Sequence, residues 1–162
     1  MDTDTLLVEL VEALDYDLEI LEVLRYRLVV LGALAGADQG SMLLLGVREI
    51  EMTYEALRVA EMVRASVTER VADELDIDAL PTLEEIAGYV SAGWSEVLRE
   101  RRRKLIEIVT EIQGISRTVG AAMGRRVALA EEARAFLHSD ATASSYGRPS
   151  LPREGVLVEG AI

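Results

Sequence analysis

The most regular pattern of this sequence is a row of positions at alternating spacings of four and three residues. Eleven of its thirteen positions are apolar, and no proline interrupts it. Its members are Trp94, Leu98, Arg101, Leu105, Ile108, Ile112, Ile115, Val119, Ala122, Arg126, Leu129, Ala133 and Phe136. Such a row forms one face, here called the seam, of a continuous helix that packs against other helices. It predicts a long helix from about Trp94 to His138.

Two earlier apolar rows predict two more long helices. Leucines at seven-residue spacing predict the first from about Thr5 to Ala35, with Asp4 or Thr5 as the N-cap. The second is predicted from about Ser41 to Asp76. Its row is Leu43, Val47, Ile50, Tyr54, Leu57, Ala60, Val63, Val67 and Val71. The short glycine-containing connection 36–40 predicts that these two helices form an antiparallel hairpin.

A short helix is predicted between the second and the last long helix. Pro81 prevents the second helix from continuing, and Thr82 with Glu85 three residues later has the pattern of a capping box. The helix should run from Leu83 to about Val90 and end at the segment 91–93. The predicted fold is therefore all-α: an elongated antiparallel bundle or coiled coil of three long helices and one short one. Residues 1–138 form the helical domain, and residues 139–162 form a flexible tail.

Composition and charge exclude several classes of function. The chain has no cysteine, which excludes disulfides, thiol chemistry and thiolate zinc sites, and a net charge of -12, which argues against nucleic acid. The acidic N-terminus is unlike a signal peptide, so we expect a cytoplasmic location. The longest apolar run, Leu28 to Ala37, is shorter than the roughly 20 residues that span a bilayer, so no stable membrane insertion is expected. The predicted path also places the acidic first helix beside the basic run Arg99 to Lys104.

The residue pattern predicts no enzyme, no metal and no cofactor. The single histidine, His138, has Ala135 three residues before it, so the Glu-x-x-His pairs of a carboxylate metal site are absent. A small helical mutase needs several buried bases that converge on a substrate, whereas here they cluster at Arg99 to Lys104. Asp17 occupies a slot in the apolar row of the first helix. It is either a polar register point or the edge of the stripe.

The last helix changes character past its middle. Three glycines lie inside it, at positions 114, 120 and 124, and each costs up to about 1 kcal/mol relative to alanine. Either helices pack closely there, or the region is soft and rearranges on a partner. Arg101 and Arg126 are the two charged positions of the seam, and the guanidinium group of Arg101 can extend toward solvent. Arg126 lies where the stripe becomes small and weakly apolar, which favours the acceptance of a foreign helix.

The order of these segments resembles the bacterial flagellar export chaperones of the FlgN type, in their arginine-rich form. The resemblance covers about residues 5 to 138. It rests on Leu6-Leu7-Val8-Glu9-Leu10-Val11-Glu12, the turn at Leu34-Ala35-Gly36, Arg48-Glu49-Ile50-Glu51, Pro81-Thr82-Leu83-Glu84-Glu85-Ile86-Ala87, and Gly93-Trp94 followed by Val97-Leu98-Arg99-Glu100-Arg101-Arg102.

The resemblance implies a cytoplasmic chaperone of type III flagellar export. It would bind the hook-associated proteins of the hook–filament junction, prevent their premature assembly, and deliver them to the flagellar export apparatus. Client binding in the family lies on the C-terminal amphipathic helix. With Arg126 added from the residue pattern, the predicted partner-binding residues are Ile112, Ile115, Val119, Ala122, Met123, Arg126, Leu129 and Phe136. The alternative is a non-catalytic, homodimeric coiled-coil protein whose seam serves only self-association.

Overall fold

The chain folds into helices, as the sequence predicts. The computed structural model describes residues 2–37, 39–77 and 81–145, without the side chains of residues 133 and 136–145. The helices are α1 (Thr3–Gly36), α2 (Gly40–Glu74), α3 (Leu83–Tyr89) and α4 (Ala92–Ser145). Every regular element in the described residues is a helix, which confirms the all-α class. The chain divides into two compact units, Met1–Gly124 and Arg125–Ile162.

Local chemistry explains where α3 begins. The Thr82 hydroxyl accepts a hydrogen bond from the Glu85 backbone N–H at 3.3 Å, and the Thr82 backbone N–H donates to the Glu85 carboxylate at 2.7 Å. These two bonds form the predicted capping box and satisfy backbone donors that the first turn leaves open. The Thr82 backbone N–H and the Thr82 hydroxyl both donate to the Glu85 carboxylate, and these two hydrogen bonds hold the pKa of Glu85 below its ordinary value.

The other helix ends differ from the predictions by a few residues. α1 begins two residues early, after an N-cap Asp2 whose side chain makes no capping bond, so the prediction of Asp4 or Thr5 as the cap is wrong. α2 ends at Glu74 rather than Asp76, because Asp76 takes a left-handed φ of 56°. α4 begins at Ala92, since the extended Val90 already separates it from α3.

α4 also continues past the predicted end at His138, to Ser145. Residues 139–145 contain alanine and small polar residues but neither glycine nor proline, so nothing in their sequence stops a helix. Gly147 and Pro149 are the first such residues. Of the predicted tail, 139–145 therefore belong to α4, and 146–162 lie outside the described residues.

Two clusters of buried apolar side chains form the core of the unit Met1–Gly124. The first joins all four helices and contains Leu6, Leu7, Leu10, Leu14, Val67, Val71, Ile86, Ala87 and Leu98. The second joins α1, α2 and α4 and contains Leu21, Leu24, Leu28, Leu31, Ala35, Leu43, Ile50, Ile108, Ile112 and Val119. Val63 is 54% exposed, so its predicted place in the apolar row of α2 is wrong. The half-buried Arg64 lies next to it in the chain and faces α1 instead.

Polar contacts show which parts of the helices are neighbours. Between α1 and α2 they are Glu9 with Arg70, Asp17 with Arg64, and Arg27 with the Glu49 carbonyl oxygen. Between α1 and α4 they are Asp4 with Trp94, Asp15 with Arg101, and Arg25 with Glu111. Residue numbers run in opposite directions in the first set and in the same direction in the second.

The predicted charge complementarity between α1 and the basic run Arg99 to Lys104 of α4 involves only one described residue of that run. Among the described residues, Arg101 alone of this run reaches α1, at 2.6 Å from an Asp15 carboxylate oxygen. Arg99 pairs with Glu84 of α3, and Arg103 and Lys104 pair with glutamates of α4 itself. Arg101 is thus held inside the bundle by a carboxylate rather than extended into solvent.

Candidate functional site

A groove lies between α2 and α4, with α1 as its floor. Leu21 and Leu24 of α1 form the apolar part of the floor, and the walls are Leu57 of α2 and Leu105, Val109 and Ile112 of α4. Its volume is about 360 Å³. Leu21, Leu24 and Ile112 also belong to the second core cluster, which joins the three helices. We call it the α2–α4 groove. Its dimensions and apolar walls suit side chains from one face of an amphipathic helix.

A buried ion pair lies in this groove. Asp17 is only 3% exposed, and one of its oxygens accepts a hydrogen bond from Arg64 Nε at 2.6 Å. Its other oxygen, Oδ1, is bonded by no donor among the described residues. Burial raises the pKa of Asp17, although the hydrogen bond and charge of Arg64 act in the opposite direction. Of the two interpretations that the sequence left open, the structure favours a polar register point, because Asp17 lies within the packed face.

A second hollow, of about 460 Å³, lies between α1 and α4. Val29 and Gly32 of α1 line it, together with Gly114, Ile115 and Val119 of α4. A side chain at Gly32 would place its Cβ 3.1 Å from a methyl group of Val119, so a glycine allows the close approach of the helices here. The hollow therefore lies beside part of the predicted partner-binding stripe.

Close packing does not explain the glycines of α4. A Cβ at Gly114, Gly120 or Gly124 would meet no atom within 4 Å among the described residues, so the close-packing interpretation is wrong. Of the glycines that the structure describes, Gly32 and Gly46 do face a neighbour, the latter with Leu31 at 3.1 Å. The soft-region interpretation of α4 stays a prediction.

The structure separates the predicted partner-binding residues into three groups. Ile112 and Val119 are buried in the core cluster, and Ile115, Ala122 and Met123 are half-buried against it. Arg126 is half-buried. Leu129 is 64% exposed, and the side chain of Phe136 lies outside the described residues. A partner would reach Ile112 and Val119 fully only if α4 moved away from α1.

The groove also contains residues that the sequence did not assign to a site. Leu57 and Leu105 belong to predicted apolar rows but to no predicted site, whereas Val109 belongs to neither a row nor a site. Val109 directly follows the seam residue Ile108 and widens the apolar face toward α2. This wider apolar face is the one feature of the sequence that could have indicated the groove. Nothing in the sequence marks Arg64 as the partner of a residue 47 positions away.

The described residues provide neither a membrane-spanning helix nor a metal site. Within the described ranges, no helix is long and apolar enough to cross a membrane. In the same ranges, no group of three or more His, Cys, Asp or Glu side chains is placed to hold a metal ion. The chain matches no protein-family model, no curated protein and no solved structure.

Proposed function

We propose that this chain is a cytoplasmic chaperone of type III flagellar export. It binds the hook-associated proteins of the hook–filament junction through an amphipathic helix of the client, prevents their premature assembly, and delivers them to the export apparatus. The observation that carries the proposal is the α2–α4 groove, which is open and mainly apolar. The resemblance of the sequence to the FlgN-type chaperones supports the choice of client.

Binding in the groove would follow the physics of helix recognition. A client helix presents apolar side chains at spacings of three and four residues, and these cover Leu57, Leu105 and Val109. Val109 is 38% exposed in the free chain, so its burial supplies part of the driving force. The Asp17–Arg64 pair offers polar groups at the groove floor, which restricts the clients that fit.

The proposal includes the finer architecture, an elongated antiparallel bundle or coiled coil with three long helices and one short one. The order of the polar contacts supports it, because opposite numbering is expected of antiparallel neighbours and parallel numbering of parallel ones. The stripe from Ile115 to Phe136 stays a separate prediction of partner-binding residues. Its glycines would let it rearrange around a client.

The alternative is a homodimeric coiled-coil protein with no client, built on the seam of α4. Leu98, Ile108 and Val119 of that seam are buried against helices of the same chain. A second copy would have to displace these contacts. This part of the seam therefore favours a bundle that is closed within one chain.

A matched pair of variants tests the groove. Val109→Asp places a charge on its wall, whereas Ile106→Asp changes an apolar residue of α4 that is 50% exposed and lies outside the groove. We expect Val109→Asp to weaken binding of a purified hook-associated protein at least about tenfold, or roughly 1.4 kcal/mol, by isothermal titration calorimetry. Ile106→Asp should bind normally.

Circular dichroism of both variants should match that of the unchanged protein. Equal loss in both variants, or no loss in either, would reject the groove as the client site. If the unchanged protein binds none of the hook-associated proteins of its flagellated host, the proposed function itself fails.

A further inference from the structure

α2 carries a second apolar row that faces away from the core. The row has alternating spacings of three and four residues, and six of its seven members are apolar: Met42, Leu45, Glu49, Met52, Ala56, Val59 and Val63. We call it the outer α2 stripe. All of its members are exposed, and Met52 and Val59 are 63% and 61% exposed. The buried residues of α2, such as Leu43, Ile50 and Ala60, lie on a different face.

The outer stripe has the pattern of a two-helix contact. Alternating three- and four-residue spacing is the seam of a coiled coil, and an α2 that packed only against its own chain would need one such row, not two. Over residues 42–63 the stripe is about 33 Å long. Contiguous exposed apolar surface of this kind commonly marks a protein interaction site.

We propose that the outer α2 stripe binds a second copy of this chain, with the two α2 helices antiparallel about a two-fold axis. If the axis passes midway between residues 50 and 51, the paired numbers add to 101. Met42 then packs on the partner subunit's Val59, and Leu45 on the partner subunit's Ala56. In the two central layers, which the axis relates to each other, Glu49 lies opposite the partner subunit's Met52. The symmetry repeats each layer, so the same stripe supplies both sides of the contact.

Charge complementarity favours a second copy over a foreign helix. In an antiparallel coiled coil, the residues directly before the first apolar position of each repeat face one another across the seam. In this register Arg48 faces the partner subunit's Glu55, and the two-fold axis creates that pair twice. Arg48 forms no ion pair with any described residue of its own chain, and Glu55 makes only an exposed 3.3 Å contact with Arg58. Both ends of the intersubunit pair are thus accessible.

The proposed contact involves one helix from each protomer, so its buried surface area lies at the low end of the range for specific interfaces. We therefore expect a dimer that dissociates in the micromolar range. Sedimentation equilibrium over a dilution series should show the average mass rise from 17.8 kDa toward twice that value as concentration increases. A mass that stays at that of one chain throughout the series overturns the proposal.

Two neighbouring leucines provide the matched test of the surface. Leu45→Lys changes the stripe at two symmetric places in the dimer, and we expect it to raise the dissociation constant at least tenfold. Leu44→Lys changes a residue that is 75% exposed and lies off the stripe, and it should leave dimerisation unchanged. Equal effects of the two substitutions overturn the assignment, and circular dichroism checks that both variants fold.

A charge exchange tests the register and the identity of the partner. Arg48→Glu alone places like charges together and should weaken the dimer. Adding Glu55→Arg restores opposite charges in both symmetric pairs, so the double variant should dimerise as the unchanged chain does. Failure of this rescue rejects the antiparallel self-pairing. The experiment needs no client, so its outcome is independent of the proposed chaperone function.

Discussion

The two members of the buried Asp17–Arg64 pair should respond to removal with opposite signs. Asp17 is almost fully buried and one of its oxygens has no donor among the described residues, whereas the Arg64 side chain is 33% exposed. The pKa of Asp17 is raised because burial, with a smaller contribution from the charge of Glu61, disfavours the ionised carboxylate by more than the hydrogen bond and charge of Arg64 favour it. We therefore expect the ionised carboxylate to destabilise the fold at neutral pH, even with its partner in place.

Replacing Asp17 by leucine should stabilise the protein. The substitution removes the desolvated charge and extends the leucine row of α1, and the groove beside it provides room for the larger side chain. Comparable replacements of buried ion pairs are neutral or stabilising by about 1 to 4 kcal/mol. Arg64 can then turn toward solvent, since it is already partly exposed. We expect a gain of about 1 to 2 kcal/mol, because only one partner is apolar after the change.

Replacing Arg64 by methionine should have the opposite effect. Methionine keeps the aliphatic stem of the side chain but leaves the Asp17 carboxylate buried without its charge partner. Such a loss costs about 3 to 5 kcal/mol, and the open groove, which admits water, favours the lower end. Combining both substitutions removes the unpaired charge and should recover most of that loss. The coupling free energy from this double-mutant cycle measures the interaction between Asp17 and Arg64 directly.

Urea unfolding followed by circular dichroism at several pH values is the assay. In the Arg64→Met variant the folded-state pKa of Asp17 is raised further above its unfolded value of about 3.8. Folded chains then bind a proton more tightly than unfolded ones. Stability should therefore rise as pH falls from neutral toward the unfolded pKa, and it should be lost as pH rises through the folded pKa. Destabilisation by Asp17→Leu of more than about 1 kcal/mol would refute this account, because the pair would then be a net stabiliser.

Three further predictions concern helix chemistry and the stripe of α4. Gly120→Ala should raise the free energy of unfolding by about 0.5 to 1 kcal/mol, because its Cβ meets open space. Gly32→Ala should raise it less or lower it, because its Cβ approaches Val119. Equal gains in urea unfolding would contradict this packing difference. Thr82→Ala should lower the free energy of unfolding by about 1 kcal/mol through loss of the cap, and an unchanged value would show that the capping box is dispensable. Leu129→Asp should change the free energy of unfolding by less than about 0.5 kcal/mol, since Leu129 is 64% exposed. It should weaken client binding in calorimetry, because Leu129 belongs to the predicted stripe, and normal binding would remove Leu129 from the site.

Helix content and local start signals were readable from the sequence because they depend on neighbours in the chain. Thr82 and Glu85 interact over three residues, so the capping box appears in the structure as predicted. The seam of α4 follows from residue spacing alone, and Leu98, Ile108 and Val119 are buried on it. The errors at helix ends involved positions where several residues could cap or extend a helix at similar free energy.

The site was less predictable, because it depends on which helix faces are covered. α2 has two apolar rows of similar regularity, and spacing alone does not reveal which one packs against α1. The sequence placed Val63 in the core row, whereas the structure exposes it on the outer stripe and turns Arg64 toward α1. The α2–α4 groove could not be predicted at all, since its lining comes from three helices and forms only after they have packed.

The sequence by itself determined that the chain is helical, where α3 begins, and which positions of α4 form a seam, because these properties arise from contacts within a few residues. Only the tertiary structure decided that Asp17 is buried against Arg64, that Gly32 rather than the glycines of α4 allows a close approach, and that a groove stays open beside Val109. These features join residues far apart in the chain. Their energies come from desolvation and steric fit, which exist only after the helices have packed.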